Sequence, residues 1–481
     1  MRKLTILLVT TIILTGCSDW LELEPENELV KDDFWQTQSD VEGILISCYR
    51  ELQQSTYNLV LYGELRSDQM EIKSIDGNAR SIREGNISSN NTYARWGFFY
   101  SIINYASSVI ENAPDVADID KNFTEAELRS VIAEARFLRS LSYFYLVRIW
   151  KEAPIIEKSY ETDDTPLTVA KSSEDELIAL IIDDLLEAIP NLKSQYEEEW
   201  EKWGRATKVA GESLLADVYL WAERYEDCIE YCDKVIANPN KVLLATENWF
   251  SIFSEGNTNE GIFEIQFNQE YNQTGPWNVL YYNNVSPDFK FPAELIEEEF
   301  FAEEDIRGFE ATYAKTERRI LKFITATPKK PVFYSGNEFV SNFIIYRLAD
   351  IYLMKAEAHA VLGQYDLSDQ AIMTVRERAG LADQLISIPN SRDAYEDFIL
   401  TERQKEFTAE GKAWFDLLRV GKRNNFERKK LVIDKLLLEV TGVDRPTIER
   451  ALQDPYAYYM PIHQSELTQN SELVQNPYYQ F

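Results

Sequence analysis

The strongest structural signal in this chain is a long helical period between Thr124 and Ile149. Thr124 is followed three residues later by Glu127, the pattern of a capping box, in which each side chain satisfies a backbone N–H of the other at a helix start. Small and apolar side chains then recur along two stripes, which are Ala135, Leu138, Ser142, Tyr145 and Ile149 on one side and Phe137, Leu141 and Phe144 on the other. Because a helix that is apolar on two faces has to be packed between neighbours, the pattern predicts a large helical core.

Two other segments carry helix-start signals. Ser173 and Glu176 form a second capping box that predicts a helix from Leu177 to Ile189, which Pro190 ends. Ser39-Asp40, followed by apolar residues at helical spacing, predicts another amphipathic helix near the start of the folded body.

Helices also occur as pairs joined by short turns. The first pair places Ala210, Leu214, Val218 and Trp221 on one helix and Cys228, Ile229, Cys232, Val235 and Ile236 on the next. Its second helix, beginning at Arg224-Tyr225, resembles the second helix of a tetratricopeptide repeat. The segments from Ile344 to Leu362 and from Ser368 to Ala379 form a similar pair. Such units cannot bury their apolar faces alone, so we expect several to stack.

Between about 245 and 340 the helical period is largely lost, and Asn, Gly, Pro and aromatic residues become frequent. Residues Gly261 to Phe267 alternate apolar and polar side chains, which predicts a short strand. Loops held by a rigid frame are where binding residues tend to lie. The predicted fold is therefore mainly α, a tetratricopeptide-like helical-repeat scaffold with a loop-rich, partly β elaboration that carries the ligand site.

The N-terminus has the features of a secreted protein. Arg2 and Lys3 precede an apolar run from Leu4 to Leu14, which is too short to span a bilayer, and Gly16-Cys17 follows. This ending resembles a bacterial lipobox, which implies acylation of Cys17. The alternative is an ordinary signal peptide with a chance cysteine. We expect a lipoprotein signal peptide over 1–16, a lipid tether over 17–33 and a single domain over 34–481, since no Gly/Ser-rich or Pro-rich linker divides the rest.

The charge balance excludes some partners. With 81 acidic and 49 basic residues, the chain has a formal net charge of −32. Such a chain repels the phosphates of nucleic acids, and it also repels anionic lipid headgroups. We therefore expect no nucleic-acid partner, and membrane contact only through the acyl group.

The sequence offers little catalytic chemistry. It has two histidines, and it lacks the H-E-x-x-H, C-x-x-C, phosphate-loop and G-x-S-x-G motifs. No catalytic residue, metal site or cofactor is predicted. Charged residues near positions 402–419 resemble a catalytic group, but a buried network of mutually neutralising pairs explains them more simply; they are Glu402, Arg403, Glu406, Glu410, Asp416 and Arg419.

Four motifs in order resemble the SusD/RagB family of outer-membrane nutrient-binding lipoproteins. They are Glu134-Ala135-Arg136-Phe137-Leu138-Arg139, Tyr346-Arg347-Leu348-Ala349-Asp350 with the helix that follows, the Glu402 to Arg419 segment, and Pro461-Ile462 with Gln475-Asn476-Pro477. Two residues depart from the family pattern: His463 stands where the tail has a second proline, and Tyr478 replaces a glycine.

The resemblance implies a non-catalytic function. It implies a protein tethered to the outer membrane through Cys17, facing the cell surface, that binds an oligosaccharide and delivers it to a SusC-type TonB-dependent transporter. Three alternatives stay open: capture of a peptide or other nutrient, a lipid-anchored repeat scaffold without a small ligand, and a glycoside hydrolase.

A sugar site needs flat aromatic rings beside amides or charged groups, because sugars present C–H faces and hydroxyl edges. The loop after Asn272 offers Trp277, Tyr281, Tyr282 and Asn283, and a second stretch offers Asp68, Arg80, Asn91 and Trp96. The family resemblance implies a ligand site on loops from these two parts of the chain. Trp96 also fits core packing, because it precedes Phe99, Tyr100 and Ile103 at helical spacing.

Overall fold

The computed structural model describes residues 34–73, 75–160, 168–283, 287–382, 387–438 and 445–480. The predicted signal peptide 1–16, the tether 17–33 and the predicted acylation site Cys17 lie outside the described residues. The protein is 56% helix and 5% strand, so the prediction of a mainly α fold is confirmed.

The α-helices are numbered in chain order. They are α1 Gln38–Gln54, α2 Thr56–Glu64, α3 Gly77–Arg83, α4 Gly97–Ile119, α5 Glu125–Trp150, α6 Glu174–Ala188, α7 Glu201–Gly204, α8 Lys208–Trp221, α9 Tyr225–Ile236, α10 Ser251–Ser254, α11 Ala293–Glu297, α12 Leu348–Val361, α13 Tyr365–Arg378, α14 Arg392–Phe407, α15 Ala413–Phe426, α16 Lys429–Leu436, α17 Arg445–Ala451 and α18 Gln464–Gln469. The strands are β1 Glu71–Ile72, β2 Gly261–Ile265, β3 Phe289–Lys290 and β4 Phe343–Arg347. None of the helices in the described ranges is both long and apolar enough to cross a bilayer.

Both capping boxes are present. Thr124 caps α5 and Ser173 caps α6, and in each box the glutamate three residues on accepts the backbone N–H of the cap residue. The predicted start of α1 at Ser39-Asp40 is wrong by two residues, because Thr37 is the cap and the Asp40 carboxylate accepts the Thr37 N–H at 2.8 Å. In α5, every residue from Ala133 to Trp150 is buried except Arg136, as expected for a helix with neighbours on both sides.

The predicted helix pairs exist and stack. Helix α8 packs on α9, α12 packs on α13, and α9 contacts α12, so the two pairs form one layer. The turn between α12 and α13 passes through Gly363 at φ +72°, a left-handed conformation that glycine adopts without strain. The scaffold therefore has the tetratricopeptide-like stacking expected from the sequence.

One part of the second predicted pair is wrong. Residues from Phe343 to Arg347 form strand β4 and not the beginning of a helix, and α12 starts at Leu348. Strand β4 pairs antiparallel with β2, with Gly261 opposite Arg347 and Ile265 opposite Phe343. Both strands are buried along their whole length, and a short, fully buried run does not reveal its period in the sequence.

The segment from 245 to 340 is irregular, as predicted. Among its described residues no regular element exceeds five residues. It is nevertheless well packed, since Trp249, Phe253, Phe289, Phe323 and other aromatic residues in it are buried in the main core.

The charged residues of the late helices lie inside the core and not at a surface site. Arg347 bonds both oxygens of Glu410, at 2.8 and 2.9 Å, and also reaches Glu406 at 2.6 Å and Glu260 at 2.9 Å. All four side chains are fully inaccessible to solvent. Although burial raises the pKa of Glu406, the guanidinium groups of Arg378 and Arg347 hold it well below its ordinary value. The prediction of a structural ion-pair network is confirmed.

Candidate functional site

The two stretches predicted to form the ligand site are neighbours in the structure. Strand β1, from the stretch between Asp68 and Trp96, pairs antiparallel with β3, which follows the Asn272 loop, so that Glu71 lies opposite Lys290 and Ile72 opposite Phe289. The backbone N–H of Lys73 also donates to the carbonyl of Asp288 at 2.9 Å. The tertiary structure therefore joins the two loops, although few of the predicted side chains meet.

Three predicted residues of the stretch between Asp68 and Trp96 differ in their surroundings. Asp68 pairs with Lys435 and accepts a bond from Gln404 at 3.3 Å, which ties it to α14 and α16. Asn91 is buried and caps the 3₁₀ turn Thr92–Ala94. Arg80 lies exposed on α3.

Trp96 belongs to the core, the alternative that its helical spacing suggested. It is 3% exposed and packs edge-on against Tyr100 and Trp150. One edge borders a small apolar pocket of about 240 Å³ between α4 and the C-terminal helix α18.

The expectation that Trp277 and Tyr281 expose their rings is wrong. Neither has any accessible surface, and the indole of Trp277 stacks on Phe323 with the ring centroids 4.2 Å apart. The indole N–H donates to the carbonyl of Ser341 at 2.6 Å, and the Tyr281 hydroxyl donates to that of Ala409 at 3.2 Å. With both polar ends satisfied inside the protein, these side chains fill the core under the loop, and neither presents a ring face to solvent.

The other two residues of that loop lie nearer the surface. Tyr282 is half-buried against Phe333 and Phe339, with the Arg319 guanidinium 5.2 Å from its ring centroid. Asn283 is exposed at the end of the π-helical turn Asn278–Tyr282. These two remain predicted contact residues.

An open cleft of about 1050 Å³ lies between α1 and the loop that follows β2. One wall is a face of α1 and α2 that carries Ile46, Arg50, Gln53 and Tyr57 at helical spacing. The other wall comes from α7, β2 and residues 267–276. This volume lies at the upper end of the roughly 300–1,000 Å³ typical of ligand pockets.

Two aromatic rings in this cleft are open to solvent. Trp200, just before α7, is 50% exposed, and Tyr271, in the 3₁₀ turn Gln269–Tyr271, is 74% exposed. Asn268 caps that turn through a 2.8 Å bond to the N–H of Glu270, and Asn272 ends it in a left-handed conformation. The loop is therefore shaped to hold Tyr271 outward.

Amide side chains also line this cleft. Asn257 and Gln266 bond each other through both amide groups, at 3.0 and 2.9 Å. Asn342 donates to Glu264 below them at 2.9 Å and accepts the Phe267 N–H at 3.2 Å. Burial raises the pKa of Glu264. The network fixes the start of the 267–276 loop relative to β2 and β4.

Two tyrosine–aspartate hydrogen bonds lie near Tyr57, which lines the cleft. The Tyr57 hydroxyl donates to Asp288 at 2.9 Å, and the Tyr93 hydroxyl donates to Asp76 at 2.8 Å. Burial, and then the bond to Asp76, raise the pKa of Tyr93 to about 12. Both phenols therefore stay protonated near neutral pH, where they act as hydrogen-bond donors.

Sequence reasoning sought aromatic rings beside amides but missed Trp200 and Tyr271. Both lie among polar residues, in Glu199-Trp200-Glu201 and Glu270-Tyr271-Asn272, whereas Trp277 is followed closely by Val279-Leu280. An aromatic residue flanked on both sides by polar residues was the available signal. Across the described ranges, no three His, Cys, Asp or Glu side chains are grouped to hold a metal ion.

Comparison with known families gives two matches that follow one another along the chain. A profile described as "Starch-binding associating with outer membrane" matches residues 19–220, and one described as "SusD family" matches residues 296–479. A curated relative, SusD-like protein P38 of Formosa agariphila, is 26% identical over 87% of this chain and 90% of its own length.

Solved structures agree in fold. A SusD superfamily protein from Bacteroides thetaiotaomicron superposes with a TM-score of 0.74 at 22% identity, covering 93% of this chain and 99% of that one. A laminarin-binding SusD-like protein gives 0.70 at 22% identity, covering 92% and 99%. The stacked helix pairs with their irregular insert are thus the fold of a known class of helical proteins. The profile that matches the first part of the chain describes its members as associating with the outer membrane. The chain belongs to the SusD family, and the resemblance found in its motifs is confirmed.

Proposed function

We propose that this protein is a cell-surface lipoprotein that binds oligosaccharides in the cleft between α1 and the 267–276 loop and delivers them to a SusC-type TonB-dependent transporter. The observation that carries the proposal is the pair of exposed rings, Trp200 and Tyr271, on one cleft that is otherwise rich in amides. The solved laminarin-binding relative, which shares the fold, supports a glycan as the ligand.

The chemistry of the cleft fits sugars. An exposed indole or phenol ring offers a flat apolar face for the C–H face of a pyranose. Amides both donate and accept hydrogen bonds, as sugar hydroxyls do, so Gln53 and Asn272 can meet hydroxyls in either role. Binding energy then comes from a few contacts to a solvated ligand, and we expect modest affinity.

Replacing Trp200 or Tyr271 with alanine tests this site. Each substitution removes one stacking face worth about 1 kcal/mol or more, so we expect glycan Kd to rise about fivefold or more. Retention in native affinity gels containing laminarin or starch, followed by calorimetry, measures the change. Phe309→Ala is the matched control, because Phe309 is 51% exposed but lies away from the cleft lining. Unchanged retention by both cleft variants would reject this cleft as the glycan site.

The alternatives give different results. Binding of peptides and of no glycan on an array would favour the capture of another nutrient, and release of reducing sugar would identify a hydrolase. Co-purification with a TonB-dependent barrel from the outer membrane distinguishes a transport partner from a scaffold for other proteins.

The lipid anchor is tested by Cys17→Ser. Two or more acyl chains give stable membrane attachment, whereas a single chain gives only marginal binding. We expect the unsubstituted protein to sediment almost entirely with the outer membrane and the variant to lose that association. Ser18→Ala, which leaves the acceptor thiol in place, is the control. Equal membrane recovery of the Cys17 variant would contradict acylation at this residue.

A further inference from the structure

We propose that the cleft selects uncharged oligosaccharides and discriminates against glycans that carry carboxylate or sulfate groups. This inference rests on the proposed function, and it names the class of glycan from the charges that line the site. The cleft lining contains three charged side chains among the described residues, and these are Arg50, Arg205 and Glu255.

Arg205 is not available to an anionic ligand. Its guanidinium makes a bidentate pair with Glu134, at 2.7 and 3.0 Å, and donates a third bond to Glu201 at 3.1 Å. The residue is 8% exposed, and its guanidinium packs against the ring of Tyr196. A bidentate pair with a buried carboxylate is among the stronger interactions a protein makes, so a sugar acid would have to break it before binding.

The remaining two charges offset each other. Arg50 and Glu255 are both exposed, one on α1 and one beside α10, so together they leave no net charge on the lining. The polar groups that remain are mostly carboxamides, including Gln53, Asn257, Asn268 and Asn272. Carboxamides pair well with hydroxyls but supply no formal charge to balance a carboxylate or sulfate.

The rest of the molecule adds to this discrimination. The net charge of −32 gives a field that repels polyanions at low ionic strength. Because Glu255 offsets Arg50, the exposed cation of the lining, an anionic group that entered the cleft would lose hydration without meeting a net positive charge, which costs free energy. Selection for neutral glycans therefore follows from two properties. The described cleft lining carries no net positive charge, and the long-range field of the protein repels anions.

The test compares glycans that differ only in charge. Starch and laminarin are used unmodified, hydroxyethylated and carboxymethylated to the same degree, because the two substituents have similar size and differ in charge. We expect the hydroxyethyl derivatives to bind nearly as the parent polymers do and the carboxymethyl derivatives to bind at least about tenfold more weakly. Raising NaCl from about 50 to about 500 mM should leave the affinity for neutral polymers unchanged. It should also narrow the difference in affinity between the hydroxyethyl and the carboxymethyl derivatives.

A charge-reversal variant makes the result specific to the cleft. Glu255→Lys should increase retention of the carboxymethyl polymers several-fold relative to the retention of neutral starch and laminarin by the same variant. Tighter, salt-sensitive binding of anionic glycans by the unsubstituted protein would overturn the selection for neutral glycans and leave the proposed glycan function standing. If an array of neutral and acidic glycans retained no signal, the proposed function itself would fall, and this inference with it.

Discussion

Replacing Arg347 with methionine is expected to lower the free energy of unfolding by about 3–5 kcal/mol. Arg347 lies at the end of β4 and bonds the carboxylates of Glu260, Glu406 and Glu410, all inside the core. Methionine has a similar length, but it leaves these carboxylates short of a cation where water cannot replace it. The cost therefore arises from unpaired buried charge and not from lost volume.

The same network connects distant parts of the chain. Glu260 precedes β2, Glu406 lies at the end of α14, and Arg378, at the end of α13, bonds both of them. The loss of Arg347 should thus loosen the junction between the helical layer and the irregular segment as one cooperative unit.

Urea unfolding followed by far-UV circular dichroism measures the change. Arg129→Met is the matched control, since Arg129 is 52% exposed and pairs with Glu125 one turn away; we expect a change within about 0.5 kcal/mol. A loss below about 1 kcal/mol for Arg347→Met would mean that the neighbouring arginines re-form the network and neutralise the three carboxylates without Arg347.

Replacing Trp277 with alanine is expected to destabilise the protein by about 3–5 kcal/mol. The substitution removes a fully buried ring that stacks on Phe323, and it leaves the Ser341 carbonyl without its indole donor. Trp277→Phe keeps most of the apolar volume and should cost less, about 1–3 kcal/mol, chiefly from the unpaired carbonyl.

Tyr271→Ala is the matched comparison for this prediction. Tyr271 is exposed, so its removal should change stability by no more than about 0.5 kcal/mol while weakening glycan binding. The two variants therefore separate a core role from a ligand role in the same segment. A Trp277→Ala protein with unchanged stability and lost glycan binding would show that the indole contacts ligand after all.

Helices were predictable because their signals are local. A capping box occupies four residues, as at Thr124 and Ser173, and an apolar stripe repeats every turn, so neither depends on distant parts of the chain. Strand β4 was not predicted because it has no such local signal. Phe343-Ile344-Ile345-Tyr346 is buried on every side, and the run fits a helix or a strand equally well until β2 is placed beside it.

The sequence predicted the chemistry of the candidate site, but it predicted the position of the site only in part. The 245–340 segment supplies one wall of the cleft, and the aromatic-plus-amide chemistry is there, but the exposed rings are Tyr271 and Trp200. Trp277 and Tyr281 lie in the same segment as Tyr271, but they are buried because Phe323 and Phe343, which are distant along the chain, pack over them.

The helical scaffold, the family and the mutual neutralisation of the late charges could be predicted from the residues alone, because these follow from short-range periodicity, ordered motifs and charge pairing. Which aromatic rings face solvent, and which charges remain available in the cleft, depended on the folded arrangement of the chain. Exposure and charge compensation are properties of every neighbour around a side chain, and most of those neighbours, such as Glu134 for Arg205, are distant in sequence.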